Sequence, residues 1–91
     1  EDHKENKALV FNNLGGYFAN QEDYDKGLDY LTKSLVIKEE IGDRKGIVNT
    51  LTNIGDLHNK KGEKEEARKF YMKARKQSLE LGYIHGESQI L

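Results

Sequence analysis

The chain has no cysteine, no proline and no tryptophan, and one methionine, among its 91 residues. Without cysteine there is no disulfide, thiol nucleophile or thiolate metal site, and nothing marks a redox compartment. No proline-rich or low-complexity stretch separates one part of the chain from another. No apolar run is long enough to span a bilayer, and the 91 residues contain no secretory signal segment. The expected setting is cytoplasmic, with no membrane contact. A strong excess of one charge is also missing: 15 basic against 16 acidic residues leave a net charge of -1. That balance argues against a nucleic-acid domain, which carries a basic stripe. Apolar residues are scarce as well. At 35% hydrophobic and 34% charged, the chain cannot fill a deep single core and fits a thin stack of helices better.

Glycine is the residue that is present and informative. The nine glycines are spread as punctuation, and most recur at an interval of forty. Gly15 returns as Gly55, Gly42 as Gly82 and Gly46 as Gly86. Asn13 and Asn53, Lys33 and Lys73, Glu40 and Glu80 keep the same interval, as do the apolar pairs Leu14/Ile54 and Ile41/Leu81. A fixed period in the range of about 20–50 residues signals stacked repeats, whose usual business is to present an extended surface.

Apolar spacing of i, i+3, i+4 and i+7 predicts four helices. They run from about Glu5 to Asn20, Asp23 to Ile41, Arg44 to Lys60 and Glu63 to Leu81, with a fifth starting near Ile84. Acidic groups open the second and fourth (Glu22, Asp23, Asp25; Glu63, Glu65, Glu66), where the helix dipole favours them. Lys60 and Lys61 close the third. Gly42, Gly62 and Gly82 stand where left-handed caps are wanted. Asp29–Lys33 and Glu65–Lys69 are expected i, i+4 pairs. The turns are short, so neighbouring helices pack antiparallel. Gly15 and Gly55 sit mid-helix, which points to close contact with the hairpin partner. The fold class is therefore all-α: a solenoid of antiparallel helix hairpins forming one domain over 1–91. Repeat 1 covers about 8–47, repeat 2 about 48–87, and a stub 88–91. The chain opens on Glu1 rather than Met, which suggests an excised piece of a longer protein.

These residues resemble the tetratricopeptide repeat family. Its first helix carries a large residue, then Leu-Gly, then an aromatic. Here that reads Phe11, Leu14-Gly15, Phe18, and again Leu51, Ile54-Gly55, His58. Its second helix carries small, large, small, which is read as Gly27, Leu31, Ser34 and as Ala67, Tyr71, Ala74. Gly62 is the family's inter-helix glycine, whereas Glu22 stands in its place in the first repeat. His58 replaces an aromatic, and the family's proline is missing. The segment Ile41-Gly42-Asp43-Arg44-Lys45-Gly46 looks like a longer, forty-residue form. That form occurs in spindle-orientation adaptors, kinesin light chains and bacterial signalling proteins. The resemblance implies a right-handed solenoid, a protein or peptide partner, no cofactor and no catalysis.

All seven asparagines fall at or in the first helix of a hairpin: Asn6, Asn12, Asn13, Asn20, Asn49, Asn53 and Asn59. Asparagine is a mediocre helix former, so its concentration there asks for a reason. Asn49, Thr52, Asn53, Asp56 and Asn59 or Lys60 share one helical face. Leu9, Asn12, Asn13, Gly16 and Asn20 occupy the equivalent face of the first helix. In proteins of this resemblance the first helices line a concave groove, and Asn13 and Asn53 fall where a ligand peptide's backbone is clamped. An amide both donates and accepts, which suits that task. The alternative is that these asparagines cap helices or bond locally.

Other candidates point to structure. His3, His58 and His85 are too scattered for a metal site, and His58 is expected to fill an aromatic packing position. Glu39-Glu40 and Glu65-Glu66 point in different directions on a helix, which is wrong for paired catalytic carboxylates. Lys60-Lys61 with Lys64, Arg68 and Lys69 reads as a solvated face. Gly15-Gly16 lacks the strand–turn–helix setting of a phosphate loop. Competing functions are end-to-end self-assembly, through apolar ends near Leu9–Phe11 and Ile84–Leu91, and a sensory or regulatory segment of a larger bacterial signalling enzyme.

Overall fold

The computed structural model describes residues 2–80. They form α1 (Asp2–Asn20), α2 (Tyr24–Ile41), α3 (Arg44–Lys60) and α4 (Lys64–Ser78). The helix spans agree with the periodicity except at the starts of α1, α2 and α4 and near the end of α4. α1 starts three residues earlier than expected, at Asp2. Asp23 and Glu63 stand outside α2 and α4 as N-cap residues rather than first helical residues. α4 gives way to a wider π-type turn at Leu79 and Glu80, and its expected end at Leu81 lies outside the described residues. The expected cap at Gly82, the repeated Gly86 and the helix from Ile84 lie outside the described residues as well.

α1 packs on α2, α2 on α3 and α3 on α4, each pair antiparallel. Two hairpins thus stack side by side, with α2 shared between them as the inner partner of both α1 and α3. The core is thin, as the composition requires. Leu31, Ile54 and Leu57 make one buried cluster, and Ile47, Leu51 and Ala74 make a second.

The recurring glycines are explained by helix approach. A Cβ on Gly15 would lie 2.7 Å from Leu31 Cγ, and one on Gly55 would lie 2.8 Å from Tyr71 Cε1. Leu31 and Tyr71 are themselves forty residues apart. The same closest contact is therefore made twice. Gly27 is enclosed on two sides, with a Cβ there 3.0 Å from both the Gly15 carbonyl and Leu57 Cδ1. It is the point where α2 is clasped from both sides. Ser34, fully buried, donates to the Ala8 carbonyl at 3.0 Å and joins the other end of α1 to α2.

The turns follow their cap chemistry. Gly42 and Gly62 adopt φ of 71° and 88°, the left-handed conformation a Cβ disfavours. Glu22 takes the same conformation (φ 64°) in the α1–α2 turn, though it has a side chain. Asp43 caps α3 by accepting from the Gly46 N–H at 3.0 Å and holds Lys38 Nζ at 3.0 Å. These contacts fill the space a Gly46 side chain would need: a Cβ there would lie 2.6 Å from Lys38 Cδ.

His58 is a packing residue. Its ring stacks on Phe70 at 5.4 Å, as Phe18 stacks on Tyr30 at 5.5 Å in the first hairpin. Lys73 and Lys33 lie over Phe70 and Tyr30 at 5.2 and 5.4 Å, which accounts for the repeated lysine. The Asp29–Lys33 pair forms at 3.6 Å, but Lys69 pairs with Glu66 instead of Glu65. An i, i+3 partner is as close on the helix surface as an i, i+4 one.

Candidate functional site: the groove between α1 and α3

Because α1 and α3 both run antiparallel to α2, they lie parallel to each other and leave a groove above it. This groove encloses about 360 Å³. Asn12, Asn13, Gly16 and Asn20 of α1 line one side, and Asn53, Asp56 and Lys60 of α3 line the other. The floor is Gly15, Ala19, Leu31 and Leu57. Leu31 and Leu57 are only 2% and 3% exposed, so the floor is sealed and the polar groups form the rim.

Leu9 aside, seven of the ten residues expected on the working face thus meet in one depression. Three do not line it. Asn49 lies on the Asn53 stripe, one turn nearer the start of α3, and is exposed outside the groove. Thr52 turns its hydroxyl back to the Val48 carbonyl at 2.9 Å, a local bond that satisfies it within its own helix. Asn59 faces the α4 side, in a shallow hollow with Lys64, Tyr71 and Arg75. Residues 59 and 60 are about 100° apart on a helix, so only Lys60 can face α1.

Two contacts define the rim chemistry. Asn53 Nδ2 reaches Asn12 Oδ1 at 3.5 Å, a long hydrogen bond that ties the hairpins across the groove. The amide pair is therefore oriented without being saturated, since each side chain can make further bonds. On the other side of α3, Tyr71 donates its hydroxyl to Asp56. That bond, together with burial and the nearby carboxylate charge, raises the Tyr71 pKa above its ordinary value.

Gly16 has no packing explanation. It lies mid-helix and exposed, and a Cβ built on it meets nothing within 4 Å. Glycine in a helix costs about 1 kcal/mol against alanine. Unlike Gly15, it gains no helix contact in return.

A second cluster holds the far end of the stack. Lys61 Nζ lies 2.7 Å from Asp25 and 3.4 Å from Glu63, and Glu63 meets His58 Nδ1 at 2.6 Å. The Lys61 bond lowers the Asp25 pKa and raises that of Lys61, while the His58 contact is the main cause lowering Glu63. It joins the α3–α4 turn to the start of α2. The amide pair and this ion pair brace the two hairpins against each other at separate points.

Sequence reasoning found the rim but missed the floor and Tyr71. The usable signal was present: aligning the repeats at forty residues places Gly16 against Asp56 and Leu31 against Tyr71. Among the described residues, no group of three or more His, Cys, Asp or Glu side chains could hold a metal ion. No described helix is long and apolar enough to cross a membrane. Glu39, Glu40, Glu65 and Glu66 are all exposed, and Glu40 pairs with Lys4 at 3.4 Å.

Stacked antiparallel hairpins of this kind define a helical-repeat protein. Residues 6–80 match the family model described as tetratricopeptide repeat. The chain belongs to that family, whose repeats mediate protein–protein interaction. No curated protein and no solved structure matches the chain.

Proposed function

We propose that the groove between α1 and α3 binds an extended segment of a partner protein, in the cytoplasm and without catalysis. The observation that carries this reading is the convergence of Asn12, Asn13, Asn20 and Asn53 around one depression, with a sealed apolar floor. Amide side chains on two successive repeats can pair with alternating N–H and C=O groups of an extended main chain. Asp56 and Lys60 add one charge of each sign on the α3 rim and leave the groove without a net charge preference. The test is capture from the source lysate by wild type and by the Asn13→Ala/Asn53→Ala double variant, with helicity of both checked by circular dichroism. A partner held by wild type and released at least tenfold more readily by the variant supports the reading. Equal retention removes the groove from the function.

A second reading, end-to-end assembly, draws on the exposed flank of α1. Tyr17 and Val10 are 55% and 52% exposed, whereas their repeat equivalents Leu57 and Thr50 are buried. The α1 flank thus has the form of a stacking face without its neighbour. Sedimentation across a wide concentration range tests it: a strictly monomeric species at high concentration rejects stacking.

A further inference from the structure

We infer that the outward face of α4 docks an acidic amphipathic helix of a partner protein, whose carboxylates meet Lys64, Arg68 and Arg75 while an aliphatic side chain covers Tyr71 and Met72. This surface is separate from the groove and does not rest on the groove reading.

The forty-residue register carries the argument. On α2, Tyr24, Leu28, Leu31 and Leu35 form the stripe that receives α3. Leu31 is buried in one cluster with Ile54 and Leu57, and the other three pack against that cluster. Their counterparts on α4 are Lys64, Arg68, Tyr71 and Arg75. These four share one helical stripe with Met72, and all five are exposed. The face that takes the next helix in the first repeat thus carries a cation at three of its four positions in the second. Among the described residues none of the three makes an ion pair. Lys69 and Lys73 of the same helix are engaged, by Glu66 and by the Phe70 ring. An apolar helix laid on this face, as α3 lies on α2, would strip water from three cations without pairing them.

The exposed side chains select the occupant. A face that only ended the stack in water would be polar throughout. Here Tyr71, Met72 and Leu79 remain 37%, 63% and 40% exposed beside the cations. Arg68 and Arg75 follow Lys64 at i+4 and i+11, about 6 and about 16 Å along the axis. Carboxylates on a facing helix repeat at the same intervals. Such a helix pairs the cations and lays an apolar residue over Tyr71 and Met72. Other occupants match less well. A second copy stacked end to end would set Lys7, the counterpart of Ile47, at Arg75, the counterpart of the Leu35 that packs on the Ile47 cluster. Residues 81–91 bring one acidic side chain, Glu87, for three cations. A nucleic-acid strand would meet three cations in a row with Glu65 at their border.

The experiment is selection, on immobilised wild type, of a displayed library of single helices with randomised surface positions. Selected helices are then measured against Arg68→Glu/Arg75→Glu, Met72→Glu and Asn13→Ala/Asn53→Ala, with helicity of each variant checked by circular dichroism. The substituted α4 side chains are exposed, and Arg68→Gln/Arg75→Gln repeats the test without reversing charge. Wild type is expected to enrich helices that carry Asp or Glu and an aliphatic residue on one face. These should bind each α4 variant at least tenfold more weakly, bind the asparagine variant like wild type, and weaken as salt is raised. No enrichment, enriched helices without acidic residues, or binding indifferent to the α4 variants would overturn the inference. Release by the asparagine variant alone would assign the helices to the groove and overturn it too. Three outcomes would name another occupant and overturn it as well. One is self-association of wild type, in sedimentation, that Arg68→Glu/Arg75→Glu abolishes. Another is binding of acidic helices only after residues 81–91 are removed. The third is tighter binding of a single-stranded RNA than of any selected helix.

Discussion

The first hairpin is built around an aliphatic contact and the second around a polar one, although both make the same closest approach. Leu31 is 2% exposed beneath α3, whereas Tyr71 is 37% exposed and hydrogen-bonded to Asp56. The difference follows from what lies on top. α2 is clasped by α1 and α3 together, so its central residue must be apolar and compact. α4 packs chiefly on α3, and a phenol can face outward there. A repeat position is thus set by the number of helices around it as much as by the family pattern.

Breaking the shared contact separates the hairpins most strongly. Leu31→Ala removes a sealed core residue and is expected to cost about 2–5 kcal/mol by chemical denaturation, the range for buried leucine. Tyr71→Ala should cost clearly less, because part of its ring is already in water. Equal losses would contradict the unequal burial of the two sites.

The next comparison is at Gly27 and its repeat counterpart Ala67. Gly27→Ala forces a methyl against the Gly15 carbonyl and Leu57, each 3.0 Å away. Its backbone neighbour cannot swing aside, and a loss of about 1–3 kcal/mol is expected. A neutral effect in thermal melting would mean that the α1–α2 crossing is looser than described.

The turns differ in the opposite sense. Glu22 occupies a left-handed conformation that Gly62 occupies in the second hairpin. A side chain in that region costs about 1–2 kcal/mol, so Glu22→Gly is expected to raise stability toward that amount, offset by glycine's greater freedom in the unfolded chain. Gly62→Ala should lower stability. If both substitutions move the melting temperature in the same direction, the cap assignment fails.

The smallest effect concerns acid. The Gly46 N–H and then Lys38 lower the Asp43 pKa below its ordinary 3.8. A carboxylate whose pKa is depressed in the folded state contributes stability that is full above the unfolded value. It is lost as pH falls from near 3.8 through the lower folded value. Wild type should therefore lose more stability than Asp43→Asn between pH 6 and pH 3, by an amount within the roughly 0.5–2 kcal/mol worth of a capping side chain. Parallel pH profiles for the two proteins would remove Asp43 as an acid-sensitive cap.

Much of this was legible in the residues because repeats state every contact twice. Gly15 and Gly55 announced a helix approach, and the structure supplies Leu31 and Tyr71 as what they approach. The glycine caps were readable from position. Glu22 as a left-handed residue was not, since only its register against Gly62 hints at it. The rim asparagines were readable from their confinement to first helices. Their exact membership was not: a helical face is broad, and only the distance to α1 separates Lys60 from Asn59. Thr52 was placed on the face by spacing, but its hydroxyl had a nearer acceptor in its own helix. The floor escaped because Leu31 and Leu57 read simply as core.

The most direct measurement is the affinity of a captured partner for four proteins: wild type, the Asn13→Ala/Asn53→Ala double variant, Gly16→Leu, and an outer-face control, Lys33→Ala/Lys73→Ala. The account predicts that both groove proteins weaken binding by at least tenfold while the outer-face control binds like wild type. Loss confined to the lysine control, with the groove variants unaffected, would contradict it.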